Sequence, residues 1–383
     1  MNASRIRSVI CLFLLPLPLL LPGHAQSTAD TQAATLKVQV NEVVLPVTVR
    51  NKKGELVTNL KAADFTLSED GHPQTIKSFS RETNLPYRLG LLVDTSRSVS
   101  GAMESERKAA GKFVDTMLPE KPNATLGATP DQAFLIHFDR EVELLEDFTP
   151  SRDKLHHELD EMGPSRAAQN DSQSSGGASD QSHGRRGGTQ LYDAIYLASD
   201  ELMKPKDGRK ALVVFSDGVD RGSKMDLNDA VDAADRAGLA VYTIYFKGEE
   251  ERQGGMPGMG GGHHGGGGYP GGGGGYPGGG GGYPGGGGHH GGGEEKPAVD
   301  GKKIMEKIAT RTGGRYFEAR KRENLEEIYG WIAEELRGQY LLTYTPNMVD
   351  KDGGFHKVSL TANKDGLTVV TREGYYAAGG EAK

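Results

Sequence analysis

Residues 89–98 read Leu-Gly-Leu-Leu-Val-Asp-Thr-Ser-Arg-Ser. An apolar run ends in Asp94, and Ser96 and Ser98 follow at the second and fourth positions beyond it. An uncharged run of this kind is what a strand buried on both faces looks like, as a parallel sheet requires. The D-x-S-x-S turn then gathers one carboxylate and two hydroxyls where the strand leaves its sheet. These are hard oxygen donors, which suit Mg²⁺, Ca²⁺ or Mn²⁺ better than zinc or copper. Taken alone, the turn also reads as an N-cap cluster opening the next helix, a position Asp and Ser favour.

Working outward, apolar runs at 132–138, 211–215 and 239–246 repeat the signature of a doubly covered strand. Helical segments lie between them. Met103, Ala110, Phe113, Val114 and Met117 form one apolar stripe, and Leu191, Ile195, Ala198 and Leu202 form another. Residues 151–162 and 322–337 are further predicted helices. The latter carries Leu325, Ile328, Ile332 and Leu336 on one side, with the only tryptophan, Trp331, expected to pack. Strands alternating with helices imply an α/β fold with a doubly wound, mostly parallel sheet.

Two more oxygen sources fit the Asp94 turn. Thr189 opens the pattern Gly-Gly-Thr-Gln-Leu-Tyr-Asp-Ala-Ile, and Asp217 closes the run Ala211 to Phe215 as Ser-Asp-Gly. With these three elements in this order, residues 85–340 resemble the von Willebrand factor type A domain. That family's metal-ion-dependent adhesion site joins D-x-S-x-S, a threonine at a helix start and an aspartate after a later strand. The resemblance implies that Ser96, Ser98 and Thr189 offer hydroxyls to Mg²⁺, or to Mn²⁺ or Ca²⁺. Asp94 and Asp217 would add charge directly or through water. A carboxylate from a partner protein would complete the shell. The resemblance also makes 141–148 a short antiparallel edge strand. Arg97 departs from the pattern, because the family often has glycine there. If that position needs positive φ, arginine is strained; otherwise it is a solvated side chain or a cation placed to receive an acidic ligand.

The flanks read as β structure. Residues 36–50 alternate as a strand or strand pair, Asn51-Lys52-Lys53-Gly54 is a hairpin turn, and 64–69 and 73–80 are short strands around Asp70-Gly71. After 337, the stretches 338–345, 355–362 and 366–372 alternate with period two. The domain plan is therefore an N-terminal β module at 26–84, the type A region at 85–337, and C-terminal strands at 338–383. Those strands either complete one β-sandwich with the N-terminal module or stand as a second module. The layout, with its ending Arg372-Glu-Gly-Tyr-Tyr, resembles secreted bacterial proteins that carry a type A-related domain between β regions.

Residues 1–25 have the form of a secretory signal: Arg5 and Arg7, an apolar stretch from Val9 to Leu21, then Gly23-His24-Ala25. The expected location is therefore the periplasm or the cell exterior. Cys11, the single cysteine, lies in this leader, so the mature chain cannot form disulfides. Removing the leader takes two arginines and no acid from a chain of net charge −7, leaving −9. No basic stripe with interleaved aromatics points to nucleic acid, and no second apolar segment is long enough to span a membrane.

Two inserts interrupt the α/β pattern. Residues 165–188 are rich in Ser, Gln, Gly and Asp, with too little apolar side chain to build a core, and are expected to be disordered. Residues 249–298 centre on a stretch, 254–293, in which 27 of 40 residues are glycine, a composition that makes a flexible coil. That stretch repeats Tyr-Pro-Gly-rich units between His263-His264 and His289-His290. Four imidazoles could hold Zn²⁺, Ni²⁺ or Cu²⁺, but nothing orients them, so a solvated loop is the preferred reading.

These features favour a metal-dependent protein-binding module over an enzyme. Position 96 is serine where an aspartyl-phosphate D-x-D motif needs its second aspartate, and G-x-x-x-x-G-K-[ST] and G-x-S-x-G are both missing. A scaffold whose metal only stabilises the fold, and a metal-dependent hydrolase, remain the other readings.

Overall fold

The computed structural model describes residues 42–81, 85–120, 129–165, 188–247, 300–319, 324–347 and 353–377. The leader, most of 165–188, the stretch 249–298 with its histidine pairs, and the segment before Asn41 lie outside the described residues. The described residues open with four strands: β1 (Val43–Arg50), β2 (Phe65–Glu69), β3 (His72–Gln74) and β4 (Ile76–Ser80). Asp70 and Gly71 join β2 to β3 with φ of 48° and 81°. Positive φ at both central residues gives the mirror-image turn that matches strand twist, which is why Asp-Gly serves there. The strand expected at 73–80 is broken at Thr75, because β3 pairs with β2 whereas β4 pairs in another sheet.

The α/β body follows. Its strands are β5 (Tyr87–Asp94), β6 (Gln132–Phe138), β7 (Val142–Thr149), β8 (Arg209–Ser216), β9 (Ala240–Phe246) and β10 (Tyr316–Ala319). They form one sheet in the order β10-β9-β8-β5-β6-β7, parallel except for the edge strand β7. Alternate residues of β5 serve opposite faces. Leu91 and Val93 join a core with α1 (Met103–Met117), α2 (Arg152–Glu161) and α6 (Leu325–Gly338). Leu92 joins the other core, with α3 (Leu191–Leu197), α4 (Leu227–Ala237) and α5 (Gly301–Thr312). Gly90 allows this close packing, since a Cβ there would lie 2.3 Å from the Phe134 ring. The α/β class and the doubly wound sheet are therefore observed. Trp331 is 45% exposed and stacks on Phe317 at 6.3 Å, so it covers the core instead of entering it.

Four strands close the chain: β11 (Tyr340–Tyr344), β12 (Phe355–Ala362), β13 (Thr368–Val370) and β14 (Gly374–Tyr376). They pair with the opening strands in two sheets, β13-β1-β11-β4 and β14-β12-β2-β3. Val43, Leu45, Val47, Phe65, Leu67, Leu342, Tyr344, Val358 and Leu360 share one apolar cluster between them. The α/β body departs after β4 and returns at β11, and those two strands are hydrogen-bonded neighbours. At that junction, the Tyr87 hydroxyl and Arg209 both donate to the Leu336 carbonyl, at 2.9 and 2.8 Å. Arg50 of β1 meets the buried Glu335 of α6 at 2.5 Å. Asp94 lies at the opposite end of β5 from this junction.

Candidate metal centre

Parallel strands present their C-terminal ends on one edge, where open α/β sheets bind ligands. Here β5 ends in Asp94, β6 is followed by Asp139, and β8 ends in Ser216 followed by Asp217. Asp94 is fully buried, and both its oxygens are held. Oδ1 accepts from the Ser96 N–H at 2.9 Å, and Oδ2 accepts from the Ser216 hydroxyl at 2.7 Å. Ser96 stands before a 3-10 turn, Arg97–Ala102, yet its hydroxyl caps no amide of that turn. It lies 3.1 Å from the Ser98 hydroxyl. That removes the helix-capping reading of the turn: the two hydroxyls are gathered beside the carboxylate.

Asp217 is the second charge. Its Oδ1 accepts from the Val219 N–H at 3.0 Å, which fixes the carboxylate on its loop. Burial first, and then the neighbouring Asp217, push the Asp94 carboxyl up to about 7, against hydrogen bonds from Ser96 and Ser216. Among the described residues no lysine or arginine pairs with either acid. Gly218 has φ +71°, and a Cβ there would lie 2.3 Å from the Gly301 carbonyl oxygen. The Ser-Asp-Gly sequence is thus needed for the start of α5 to press against the Asp217 loop.

Thr189 reaches the same edge through its backbone. Its carbonyl accepts from the Arg221 N–H at 3.0 Å, and the next residue, Gln190, donates to the Asp139 carbonyl at 2.8 Å. It lies two residues ahead of α3 instead of on its first turn. Among the described residues its hydroxyl makes no hydrogen bond to Asp94, Ser96, Ser98 or Asp217. Asp139, which the sequence reading passed over, braces the group. Its buried carboxylate accepts from the Ser165 N–H at 2.8 Å and from the Thr95 hydroxyl at 3.4 Å. The signal was present, because Asp139 ends an apolar run just as Asp94 does. Ser216 was also passed over. Arg97 is exposed and unstrained, since Asp70 is the only described non-glycine residue with positive φ.

Two carboxylates and two hydroxyls on adjoining loops, with no counter-charge among the described residues, fit a hard divalent cation. Residues 89–264 match the family model for the von Willebrand factor type A domain. The chain carries a von Willebrand factor type A domain. Solved structures match the chain at low identity. The vWF domain of the type V pili tip protein Mfa5 from Porphyromonas gingivalis shares 12% identity, with 66% of this chain and 95% of that one covered and a TM-score of 0.40. Proximal thread matrix protein 1 from the mussel byssus, in one crystal form, shares 12% identity with a TM-score of 0.39. The match covers 66% of this chain but only 48% of the mussel protein, so this chain spans about half its length. Another structure of that mussel protein has a zinc-occupied MIDAS motif, at 11% identity, the same coverages and a TM-score of 0.40. No curated protein matches the chain in sequence. No helix among the described residues is long and apolar enough to cross a membrane.

Proposed function

We propose that this type A domain holds a divalent cation through Asp94, Ser96, Ser98, Thr189 and Asp217 and uses it to bind an acidic group of a partner protein. Type A domains form a family of metal-dependent adhesion and interaction modules. One observation carries the finer reading: Asp94 is buried beside Asp217, with the Ser96 and Ser98 hydroxyls gathered next to it and, among the described residues, no lysine or arginine paired to the acids. Charge in that position calls for a cation. Mg²⁺ is the first choice for a donor set made only of oxygen, with Mn²⁺ or Ca²⁺ as substitutes. Positions left to water are where a partner's carboxylate would enter, and we read the domain as a binding module.

The strands around it, between Val43 and Ser80 and between Tyr340 and Tyr376, we read as one β-sandwich with the type A domain inserted. The pairings of β1 with β11 and of β2 with β12, and the apolar cluster they share, support that reading. The basic and then apolar opening of the sequence supports export to the periplasm or beyond.

The test is calorimetric titration of the chelator-treated protein with Mg²⁺, Mn²⁺ and Ca²⁺, beside an Asp94→Ala/Ser96→Ala variant. Saturable binding by the parent alone is expected. Equal binding by both proteins would remove the assignment.

A further inference from the structure

A second group of metal-ligating side chains lies in the β sheets, on elements that take no part in the Asp94 site. Glu69 ends β2, Asp70 follows it in the turn to β3, and His356 lies near the start of β12. One ligand atom from each lies within 4.8 Å of the others. His356 Nδ1 is 2.8 Å from Asp70 Oδ2 and 3.7 Å from Glu69 Oε1. Donors around an ion with bonds of about 2.1 Å lie roughly 3–4 Å apart, so a small closure suffices.

Two features separate this group from an ordinary acidic surface. The first is a buried carboxylate beside a buried imidazole. Glu69 is 5% exposed and His356 9% exposed. Among the described residues no lysine or arginine pairs with Glu69. The nearby Arg372 donates to the Val44 carbonyl and lies over the Tyr375 ring. Besides hydroxyls, the partner this carboxylate has among the described residues is the His356 imidazole, at 3.7 Å. The second is that groups outside the cluster orient each ligand. Glu69 Oε2 accepts from the Tyr344 hydroxyl at 2.6 Å, and Oε1 accepts from the Tyr375 hydroxyl at 3.1 Å. Asp70 Oδ1 accepts from the Lys357 N–H at 2.9 Å. The imidazole of His356 stacks on the Tyr375 ring with centroids 5.5 Å apart. Partners that hold the ligands in place are what a metal site needs beyond the ligands themselves.

We propose that Glu69, Asp70 and His356 form a second divalent-metal site, one that takes Zn²⁺ or a similar transition ion. An imidazole with two carboxylates favours such ions, whereas the oxygen-only Asp94 site favours Mg²⁺. The two sites are therefore separable by the metal they take. The ion would tie the β2–β3 turn to β12, that is, the N-terminal strands to the C-terminal ones.

The test is Zn²⁺ titration by calorimetry on the full chain with the other candidate ligands removed. That background carries Asp94→Ala and Ser96→Ala, with alanine also at His263, His264, His289 and His290. It is expected to bind one equivalent of Zn²⁺ and to melt at a higher temperature with it. His356→Gln, and separately Asp70→Asn, should each weaken binding about tenfold or more while leaving the metal-free melting transition in place. If His356→Gln fails to fold, Asp70→Asn at the exposed turn decides alone. A background that binds no Zn²⁺ overturns the proposal, as does undiminished binding in the variants that fold.

Discussion

Asp94 and Ser216 meet across neighbouring strands: the Ser216 hydroxyl donates to Asp94 Oδ2 at 2.7 Å in a fully buried contact. The same hydroxyl accepts from the Gly218 N–H at 3.0 Å, so one serine positions both the first acid and the loop that carries Asp217. Ser216 is not part of the D-x-S-x-S pattern, yet it fixes which way the carboxylate faces.

Ser216→Ala should therefore weaken Mg²⁺ binding by roughly 10–100-fold, the usual cost of losing a group that orients a ligand. It removes no proposed ligand. Titration calorimetry reads the change, and an unaltered affinity would show that Asp94 is oriented without Ser216.

The raised Asp94 carboxyl gives the metal dependence a pH signature. Free aspartate ionises near 4, whereas Asp94 in the metal-free protein ionises at about 7, because of burial and then Asp217. The folded state therefore holds a proton that the unfolded state has lost, and metal-free stability declines from about pH 4 to pH 7. A cation must displace that proton below pH 7. The rise in melting temperature on adding Mg²⁺ should accordingly be larger at pH 8 than at pH 5. A shift independent of pH would contradict the placement of the ion on Asp94.

Much of this fold was legible because doubly buried strands leave uncharged runs. The runs ending at Asp94, Phe138, Phe215 and Phe246 mark β5, β6, β8 and β9 within two residues. Other elements left weaker traces. Helix α4 buries Ala230, Ala233, Ala234 and Ala237 on one side, a stripe of small side chains in which Val231 is the only large apolar residue buried. Strand β10 has only four residues, and α5 follows directly on the glycine-rich stretch. Asp70 and His356, 286 positions apart, meet only because β12 pairs with β2, and no local pattern can show that.

Glu106 is a case where the helical stripe hid a charge. It falls between Met103 and Ala110 on the buried side of α1 and accepts a hydrogen bond from the Tyr329 hydroxyl of α6. Its other carboxyl oxygen has no partner. Burial pushes this carboxyl up to about 8, against the bond from Tyr329. Glutamate in the unfolded chain ionises near 4.5, so this group lowers stability progressively as pH rises from 4.5 to 8. Glu106→Gln keeps an acceptor for Tyr329 and removes the titration. The variant should match the parent near pH 4 and exceed it by roughly 3–5 kcal/mol above pH 8. Urea unfolding at the two pH values checks this, and a parent whose stability is flat over that range would refute it.

Gly330 is a simpler flaw, in the helix that carries Tyr329. It stands in the interior of α6, exposed, and a Cβ there would meet nothing within 4 Å. Its φ is not among the positive ones, so alanine fits without strain. Glycine within a helix costs about 0.5–1 kcal/mol relative to alanine, through the entropy of the unfolded chain. Gly330→Ala should therefore stabilise the protein by about that amount, read as a higher urea midpoint at an unchanged slope. The substitution has a further use, because α6 leads from the core behind Asp94 to Glu335, which meets Arg50 of β1. If α6 is only a fixed support, the stiffer helix will leave Mg²⁺ affinity unaltered while the midpoint rises. If metal binding requires the helix to bend at Gly330, affinity will fall as stability increases. Measuring both quantities on the one variant separates a rigid support from a working part of the site.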